Sequence, residues 1–340
     1  MRIIIIGFGT VGQAVAKILA EKEVLLLKNY GFRPNIVAIV DKKGAAISQS
    51  GLNYNELYKI KHSYGSVSLH PKYGQPKMSG IDAIKNVKSD IIVEATSTNI
   101  IDGEPGLSHI ETALKEKKHV ITVNKGPLAL ALPALRESAS YNNVFLRFSG
   151  SVGGGTPILD LGKICMRGDK LLSIKGILNG TTNYILTKMT DSNTPMDIAL
   201  KEAQKAGYAE ADPTYDIEGI DSACKLVIMA NWLINKPITI KNVEITGITE
   251  ITLDDIQKAK KKKEAIKLIC TINDAIIEVK PQAIPKSHPL CVNGTLNAVT
   301  FNMEYAGEIT IVGHGAGGIQ TADAVLRDLI NIRRRIFKQF

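Results

Sequence analysis

The sequence predicts an α/β fold in which a doubly wound, mostly parallel sheet is followed by a second domain of α+β character. Three observations carry this prediction. The chain opens with an apolar run that enters a glycine-rich turn, and strand-like runs then alternate with helical patterns. A second glycine-rich segment, residues 149–157, ends that alternation. Strands that alternate with helices are typical of parallel sheets covered on both faces.

The first turn has the spacing of a dinucleotide-binding loop. The apolar run RIIII leads into Gly7-x-Gly9-x-x-Gly12, and a helical pattern follows. Gly7 allows a tight turn, Gly9 lets the backbone approach a pyrophosphate, and Gly12 lets helix and strand pack closely. A glycine-rich turn of another α/β protein is the alternative, but the strand–turn–helix context favours a Rossmann-type site. Its predicted residues are Gly7, Phe8, Gly9, Thr10, Val11 and Gly12.

Apolar, β-branched runs predict further strands of this sheet at Asn35–Asp41, Asp90–Thr96, His119–Asn124 and Asn143–Phe148, with a helix at Leu107–Lys117. Ligands of such sheets bind beyond the carboxyl ends of the strands. Polar residues stand at two of those ends and are candidate ligand-binding residues, with ordinary turn chemistry as the alternative: Thr96, Ser97, Asn124 and Lys125.

Beyond residue 150 the pattern becomes α+β. Helices are predicted at Pro157–Met166, Pro195–Ala206 and Asp221–Leu233. A further helix is predicted to begin with Thr181 or Thr182 as its N-cap. Strands are predicted at Leu171–Leu178, Lys241–Thr249, Ala275–Pro281, Ala298–Glu304 and Glu308–Val312. The last helix has no later strand to pair with, so we expect it to return to the first domain. The predicted domains are therefore residues 1–135 with 314–340, and residues 136–313.

Composition favours a globular, cytoplasmic protein without a membrane partner. Hydrophobic residues make up 44% and charged residues 22% of the chain, as in soluble proteins. No apolar run approaches the roughly 20 residues of a membrane span, and a strand-like run starts right after Met1-Arg2 instead of a signal peptide. The four cysteines are scattered and predict neither a disulfide framework nor a metal site.

The net charge of +9 comes largely from two basic runs, Lys258–Lys267 and Arg333-Arg334-Arg335. Aromatic residues do not interleave with these runs, and no nucleic-acid motif is present. We therefore interpret both runs as solvated helix faces and expect no nucleic-acid partner. The excess positive charge also favours anionic ligands such as phosphates and carboxylates.

The segment Ile217–Ile234 predicts a mostly apolar helix that carries an ion pair. Past Glu218 its only charges are Asp221 and Lys225, which share one helix face at i, i+4 spacing. A structural salt bridge is one interpretation. A proton-transferring lysine beside a carboxylate is the other, because a buried ion pair is costly and is rarely kept for stability alone.

Two neighbouring segments would suit a small substrate. Asn179–Asn183 passes from a strand into a helix, whose first N–H groups could hold a carboxylate. Glu210, Asp212 and Asp216 place three acids within seven residues ahead of the Asp221–Lys225 helix, which would suit an ammonium group. Ordinary capping and helix-dipole chemistry is the alternative for both.

These segments together resemble the homoserine dehydrogenase family, in its short form without a regulatory domain, nearly from end to end. The residues that carry the resemblance are Gly7–Gly12 (GFGTVG), Val123–Lys125 (VNK), Ser151–Pro157 (SVGGGTP), Gly176–Leu186 (GILNGTTNYIL), Gly207–Pro213 (GYAEADP), Gly219-x-Asp221-x-x-x-Lys225 and Gly313–Gly318 (GHGAGG).

The resemblance implies reversible NAD(P)-dependent hydride transfer between L-homoserine and L-aspartate 4-semialdehyde, in threonine, methionine and isoleucine biosynthesis. It implies Lys225, Lys125 and Asp221 as catalytic residues. It implies that the second domain binds the substrate and also forms a homodimer. The implied substrate residues are Glu210, as partner of the amino group, Asp216, Asn179, Gly180 and Thr181. We expect the two lysines to meet at a carbonyl beside the nicotinamide. Gly315 resembles a second loop at the cofactor.

One position departs from the family pattern. Many members have a glutamate where this chain has Ser149, next to a Na⁺ or K⁺ site formed by backbone carbonyls, here those of Val152 and Gly154. The serine removes the carboxylate charge that such a site would use.

Two patterns bear on the choice of cofactor. Asp41 ends the second predicted strand and could bind ribose hydroxyls, as in NAD(H)-dependent enzymes. Lys42 and Lys43 follow it, and Lys61 lies where some relatives place a phosphate-binding lysine. The lysines favour NADP(H), with NAD(H) as the alternative.

Two other function classes compete with this interpretation. A semialdehyde dehydrogenase that forms a thioester needs an activated cysteine, and no cysteine here lies in a motif of that kind. A non-catalytic protein that senses dinucleotides would have no use for Lys125, Glu210, Asp221 and Lys225 together.

Overall fold

The computed structural model describes residues 1–337, and the chain divides into two compact units. The first unit comprises Met1–Ser151 together with the chain from Gly317, and the second comprises Val152–Ala316. Each unit is built around its own sheet. No helix within residues 1–337 is long and apolar enough to span a membrane.

The sheet of the first unit is mostly parallel, as predicted. Within the described residues its strand order is β4-β3-β2-β1-β5-β6-β7. Strands β1, β2, β5, β6 and β7 pair in parallel, while β3 and β4 extend one edge in antiparallel orientation. The strands are β1 (Arg2–Ile6), β2 (Asn35–Asp41), β3 (Gly44–Ile47), β4 (Gly74–Pro76), β5 (Ile91–Glu94), β6 (His119–Thr122) and β7 (Leu146–Arg147).

The central strands are apolar because helices cover the sheet, so these strands are buried on both faces. The order of strands reverses between β1 and β5, which places the turn at Gly7 at the switch point where ligands of such sheets bind. The covering helices are α1 (Thr10–Glu21), α2 (Glu23–Tyr30), α3 (Tyr54–Tyr64), α4 (Gly80–Asn86), α5 (Gly106–Lys115) and α6 (Lys125–Tyr141).

The second unit has a mainly antiparallel sheet with the order β13-β12-β8-β10-β11-β9 in the described chain. Its strands are β8 (Leu171–Ile177), β9 (Glu244–Ile245), β10 (Glu264–Ile272), β11 (Ile277–Pro285), β12 (Leu296–Met303) and β13 (Gly307–His314). Its helices are α7 (Ile158–Asp160), α8 (Gly180–Ser192), α9 (Met196–Lys205), α10 (Thr214–Ile217), α11 (Ile220–Met229) and α12 (Leu253–Lys261).

The last helix, α13 (Gly318–Ile336), packs in the first unit, as expected from the lack of a later strand. Its apolar face joins the core of α1 and the β1 side of the sheet. The residues it buries there include Ala322, Val325, Leu329 and Ile332.

Two local predictions from the sequence are wrong. The N-cap of α8 is Asn179, not Thr181 or Thr182, because the Asn179 amide oxygen accepts the Thr182 backbone N–H at 2.9 Å. The strand predicted at Lys241–Thr249 is only Glu244–Ile245, because Ile248 instead donates its N–H to the carbonyl of Ile217 at 2.8 Å.

The basic run Lys258–Lys267 is not one solvated helix face. Helix α12 ends at Lys261, and β10 begins at Glu264. Lys267 therefore lies on a central strand that is covered on both faces, and it is only 1% exposed.

Candidate active site

The first glycine turn has the geometry that a dinucleotide needs. Gly7 has φ +96°, and a Cβ there would lie 2.3 Å from the Ala95 carbonyl oxygen. A Cβ on Gly12 would lie 1.9 Å from the carbonyl oxygen of Gly7, so only glycine lets α1 pack on this turn. A Cβ on Gly9 would meet nothing within 4 Å. The backbone at Gly9 is thus open to a ligand at the amino end of α1, and the turn fits a bound pyrophosphate.

The other predicted residues of this turn have different environments. Phe8 is only 2% exposed and belongs to the hydrophobic core, so its contribution to a ligand would come from its backbone. Val11 packs against the same core. Thr10 is exposed at the first position of α1.

Asp41 has a carboxylate whose oxygens are already occupied. Oδ2 accepts from Lys61 Nζ at 2.8 Å and from the Val67 N–H at 3.0 Å. Oδ1 accepts from Ser66 Oγ and from the Lys43 N–H, each at 2.9 Å. Burial opposes ionisation of Asp41, but these hydrogen bonds outweigh burial and lower its pKa. Asp41 therefore organises the loop around it instead of presenting a free carboxylate.

The three lysines near Asp41 differ in the exposure and hydrogen bonding of their side chains. Lys42 and Lys43 have exposed side chains. Lys61 is held by Asp41 and by the carbonyl of Gly65, at 3.0 Å from Nζ. The side chain of Lys61 is still 24% exposed, so its ammonium can face a further anion.

The ends of β5 and β6 are linked by a buried hydrogen-bond network, in which Asn124 is the central residue. Its Nδ2 donates to Thr96 Oγ1 at 3.2 Å and to the Ser97 carbonyl at 3.3 Å. Its Oδ1 accepts the N–H of Gly126 at 3.1 Å and so caps α6, whose first residue is Lys125. Sequence reasoning missed the acid beneath this network, Glu94, which is 0% exposed. The only sign of this residue in the sequence is that an acid ends an otherwise apolar strand.

In the second unit, Asn179 joins the three charged residues that sequence analysis singled out. Its Nδ2 donates to Asp216 Oδ1 at 2.6 Å and to Asp221 Oδ2 at 2.9 Å. Lys225 Nζ donates to the same Asp221 oxygen at 2.5 Å and to the carbonyl of Leu178 at 2.6 Å. Asp221 and Lys225 are 7% and 6% exposed. The i, i+4 pair thus lies at the end of β8 and the start of α8, beside two further polar side chains.

The remaining predicted substrate residues have different environments in the second unit. Gly180 starts α8, where a Cβ would meet the Thr295 carbonyl oxygen at 2.8 Å. The hydroxyl of Thr181 donates to the carbonyl of Tyr208 at 2.7 Å and fastens the loop before Glu210. Glu210 is exposed on that loop, whereas the Asn179 amide nitrogen donates to Asp216 and Asp221.

Although Ser149 itself has no charge, a carboxylate contacts it. Its hydroxyl and its N–H donate to Asp328 of α13, each at 2.8 Å. Asp328 also pairs with Arg147 at 2.9 Å, so its charge is already compensated. In the part of the chain that the structure describes, no group of three or more His, Cys, Asp or Glu could hold a metal ion.

Gly315 and Gly154, which belong to two different glycine-rich segments, are both tightly packed within the second unit. A Cβ on Gly315 would meet the side-chain amide of Asn297 at 1.9 Å. Gly154 has φ +54°, and a Cβ there would lie 3.0 Å from the backbone of Ala316. Val152 is fully buried.

Three of the cysteines, Cys224, Cys270 and Cys291, are poor nucleophiles. Burial raises the pKa of Cys270 to about 12 and also raises the pKa of Cys291. Cys224, next to Lys225 in the sequence, is 0% exposed. Because the thiolate is the reactive form, none of these three suits thioester chemistry.

Comparison with known proteins matches both units. Residues 157–330 match the family model described as homoserine dehydrogenase, and residues 7–149 match its NAD binding domain. The homoserine dehydrogenase of Methanocaldococcus jannaschii is 47% identical over 332 residues, with 98% of each chain covered. The NAD(+)-dependent homoserine dehydrogenase of Pseudomonas canavaninivorans is 39% identical, with 98% of this chain and 96% of that protein covered.

Solved structures agree with these relatives. A putative homoserine dehydrogenase from Archaeoglobus fulgidus has a TM-score of 0.91 at 39% identity and covers 98% of this chain and 99% of its own. A hyperthermophilic archaeal homoserine dehydrogenase in complex with NADPH has a TM-score of 0.87 at 31% identity, with 98% of each chain covered. This chain belongs to the homoserine dehydrogenase family of NAD(P)-dependent oxidoreductases.

Proposed function

We propose that Lys225 exchanges a proton with the substrate oxygen in the reaction of this family. That reaction is the reversible, NAD(P)-dependent interconversion of L-homoserine and L-aspartate 4-semialdehyde, a step towards threonine, methionine and isoleucine. The observation that carries the proposal is how Nζ of Lys225 is held. Two of its three N–H groups point to Asp221 and to the Leu178 carbonyl, and within the described residues the third has no further partner. That N–H is available to a substrate oxygen.

The chemistry follows from charge. The bound nicotinamide cofactor supplies or accepts the hydride. During reduction, negative charge grows on the aldehyde oxygen of the substrate, and an ammonium fixed in a buried site stabilises that charge and delivers the proton. Asp221 holds Lys225 in its orientation at 2.5 Å. Lys125, the first residue of α6, is a second catalytic residue in this proposal.

Other residues of the second unit bind the substrate. Asp216 and Glu210 hold its ammonium group, Glu210 being the main partner. Asn179 orients the acids, because its amide bridges Asp216 and Asp221. The first N–H groups of α8, at Gly180 and Thr181, have no acceptor within the helix and bind the substrate carboxylate.

NADP(H) is the preferred cofactor in this proposal. Four donors already occupy the Asp41 carboxylate, so it is a poor acceptor for ribose hydroxyls. Lys42, Lys43 and Lys61 surround the end of β2 and supply charge for a 2′-phosphate. A monovalent cation at the Val152 and Gly154 carbonyls has no support from Ser149, whose neighbouring carboxylate is paired with Arg147.

The amino-group recognition gives the sharpest test of substrate assignment. Wild-type protein should reduce NADP⁺ on addition of L-homoserine, and should turn over 4-hydroxybutanoate, which lacks the amino group, with kcat/KM at least about 100-fold lower. Glu210→Gln should lose most of this discrimination, and Asp216→Asn a smaller part. Asp212→Asn is the control, since its carboxylate is bonded to Thr214.

Two results would contradict the assignment. If wild-type protein binds dinucleotide without turning over L-homoserine, the chain is a binding protein. If Glu210→Gln and Asp216→Asn keep the full preference for the amino group, other residues recognise it.

We also propose a cytoplasmic homodimer. Support for the dimer comes from the family resemblance and from the edge strand β13, where Val312 is 46% exposed. The four cysteines lie within the described residues and form no disulfide, which suits a reducing compartment. Sedimentation velocity at micromolar concentration should give twice the mass of one chain, and a single-chain mass would contradict the dimer.

A further inference from the structure

We propose that Glu94 and Thr122 are positioning residues for Lys125: a buried carboxylate fixes, through threonine hydroxyls, the residue that starts the helix bearing this lysine. The inference deepens the proposed function, because it rests on the role of Lys125 in that reaction. Both residues act through Asn124.

The carboxylate lies where β5 and β6 end side by side. Glu94 and Thr122 are paired in the register of these parallel strands, and both are 0% exposed. Glu94 Oε2 accepts from Thr122 Oγ1 at 3.0 Å. Oε1 accepts the Thr96 N–H at 3.0 Å and also the Thr96 hydroxyl. A buried acid with donors at both oxygens is compensated, and it constrains the groups that donate to it.

The direction of each hydrogen bond in this network is fixed. Asn124 donates its backbone N–H to Thr122 Oγ1 at 3.1 Å and its side-chain Nδ2 to Thr96 Oγ1 at 3.2 Å. These nitrogens can only donate, so both hydroxyl oxygens accept from Asn124. The single hydrogen of each hydroxyl must therefore turn to Glu94. The network requires an acceptor at the Glu94 position opposite Thr122.

The network ends at the two residues that flank Lys125, Asn124 and Gly126. Asn124 Oδ1 accepts the Gly126 N–H at 3.1 Å, so the residues before and after Lys125 are tied together. A Cβ on Gly126 would lie 2.0 Å from the Asn99 carbonyl oxygen, so the first turn of α6 has no room to shift. Displacement of a reacting group by about 1 Å can lower a rate by roughly 100-fold. The Lys125 ammonium depends on this frame for its direction.

Paired substitutions at Thr122 separate hydrogen bonding from shape. Thr122→Val removes the hydroxyl and keeps the branched shape, while Thr122→Ser keeps the hydroxyl. For L-homoserine oxidation we expect Thr122→Val to lower kcat by about tenfold or more, and Thr122→Ser to stay within about threefold of wild type. The dissociation constant of NADP⁺, measured without substrate, should change less than about threefold in both variants.

Glu94→Gln tests the polarity of the network. The amide oxygen can still accept from Thr96, but the amide nitrogen then faces Thr122 as a donor, where an acceptor is required. The expected loss of kcat is similar to that of Thr122→Val. Adding Thr122→Ser to Glu94→Gln should not restore kcat.

A control variant separates positioning from general destabilisation. Lys118 is a buried residue of the same unit that donates to the carbonyls of Ile84 and Val87, with no part in the Asn124 network. Lys118→Met should lower the unfolding temperature and leave kcat unchanged. The inference is overturned if Thr122→Val keeps wild-type kcat. It is also overturned if Thr122→Val and Lys118→Met both lose kcat in proportion to their loss of stability. An inactive wild type would instead overturn the proposed function, and this inference with it.

Discussion

Burial of Lys267 should make the stability of the second unit depend on pH in a defined window. Its Nζ donates to three neutral oxygens: Asn183 Oδ1 at 2.8 Å, Thr187 Oγ1 at 3.1 Å and Asn293 Oδ1 at 3.2 Å. None of these three hydrogen-bond partners is a carboxylate that could offset desolvation, and burial lowers the pKa of Lys267 from 10.5 to about 8. The perturbation we propose is Lys267→Met, which removes the titrating group.

The sign and size follow from linkage. The folded state releases the proton near pH 8, whereas the unfolded chain keeps it until about pH 10.5. The unfolding free energy is therefore lowest below pH 8 and rises as the pH increases through this window. A difference of about two and a half units corresponds to about 3 kcal/mol over the whole window.

Urea unfolding followed by the fluorescence of the only tryptophan, Trp232, reports on the unit that contains Lys267. The difference in unfolding free energy between wild type and Lys267→Met should change by about 3 kcal/mol between pH 7.5 and pH 10.5. Lys175→Met, at an exposed position of β8, should keep the wild-type dependence. Parallel pH curves for wild type and Lys267→Met would refute the reasoning.

Two further predictions concern the first unit. Asp328→Asn removes the carboxylate that pairs with buried Arg147, so it should lower the unfolding free energy by about 3–5 kcal/mol. Asp90→Asn, at the partly exposed pair with Arg2, should cost about 1 kcal/mol, and equal losses would contradict the role of burial. Lys61→Ala should raise KM for NADPH about tenfold and KM for NADH less than threefold in steady-state assays, whereas Lys59→Ala on the same helix should change neither. Equal effects on both cofactors would exclude a contact with the 2′-phosphate.

Features that depend on local pattern could be predicted from the sequence. The apolar run before Gly7 and the spacing to Gly12 determine strand, turn and helix within a dozen residues, and the structure has all three there. The i, i+4 spacing of Asp221 and Lys225 places them on one face of α11, where they form an ion pair. Helical and strand periodicity is a property of neighbouring residues, so one chain segment is enough to reveal it.

Features that depend on distant partners could not be predicted. Asp41 reads as a free ribose acceptor until Ser66 and Val67, some 25 residues later, occupy its carboxylate. Lys267 reads as part of a solvated basic run, because its burial depends on strands that pair on both sides of β10. Asn179 reads as one residue of a turn, although its amide bridges acids 37 and 42 residues away in sequence. No periodicity records such pairings.

The most direct test of the account is the single-turnover rate of hydride transfer in Lys225→Met, with L-homoserine and NADP⁺ both saturating. We predict a fall of at least about 1,000-fold relative to wild type, with the dissociation constant of NADP⁺ unchanged, since the amine that accepts the proton of the substrate hydroxyl is lost. A rate within about tenfold of wild type in a folded variant would show that Lys225 only closes a buried ion pair.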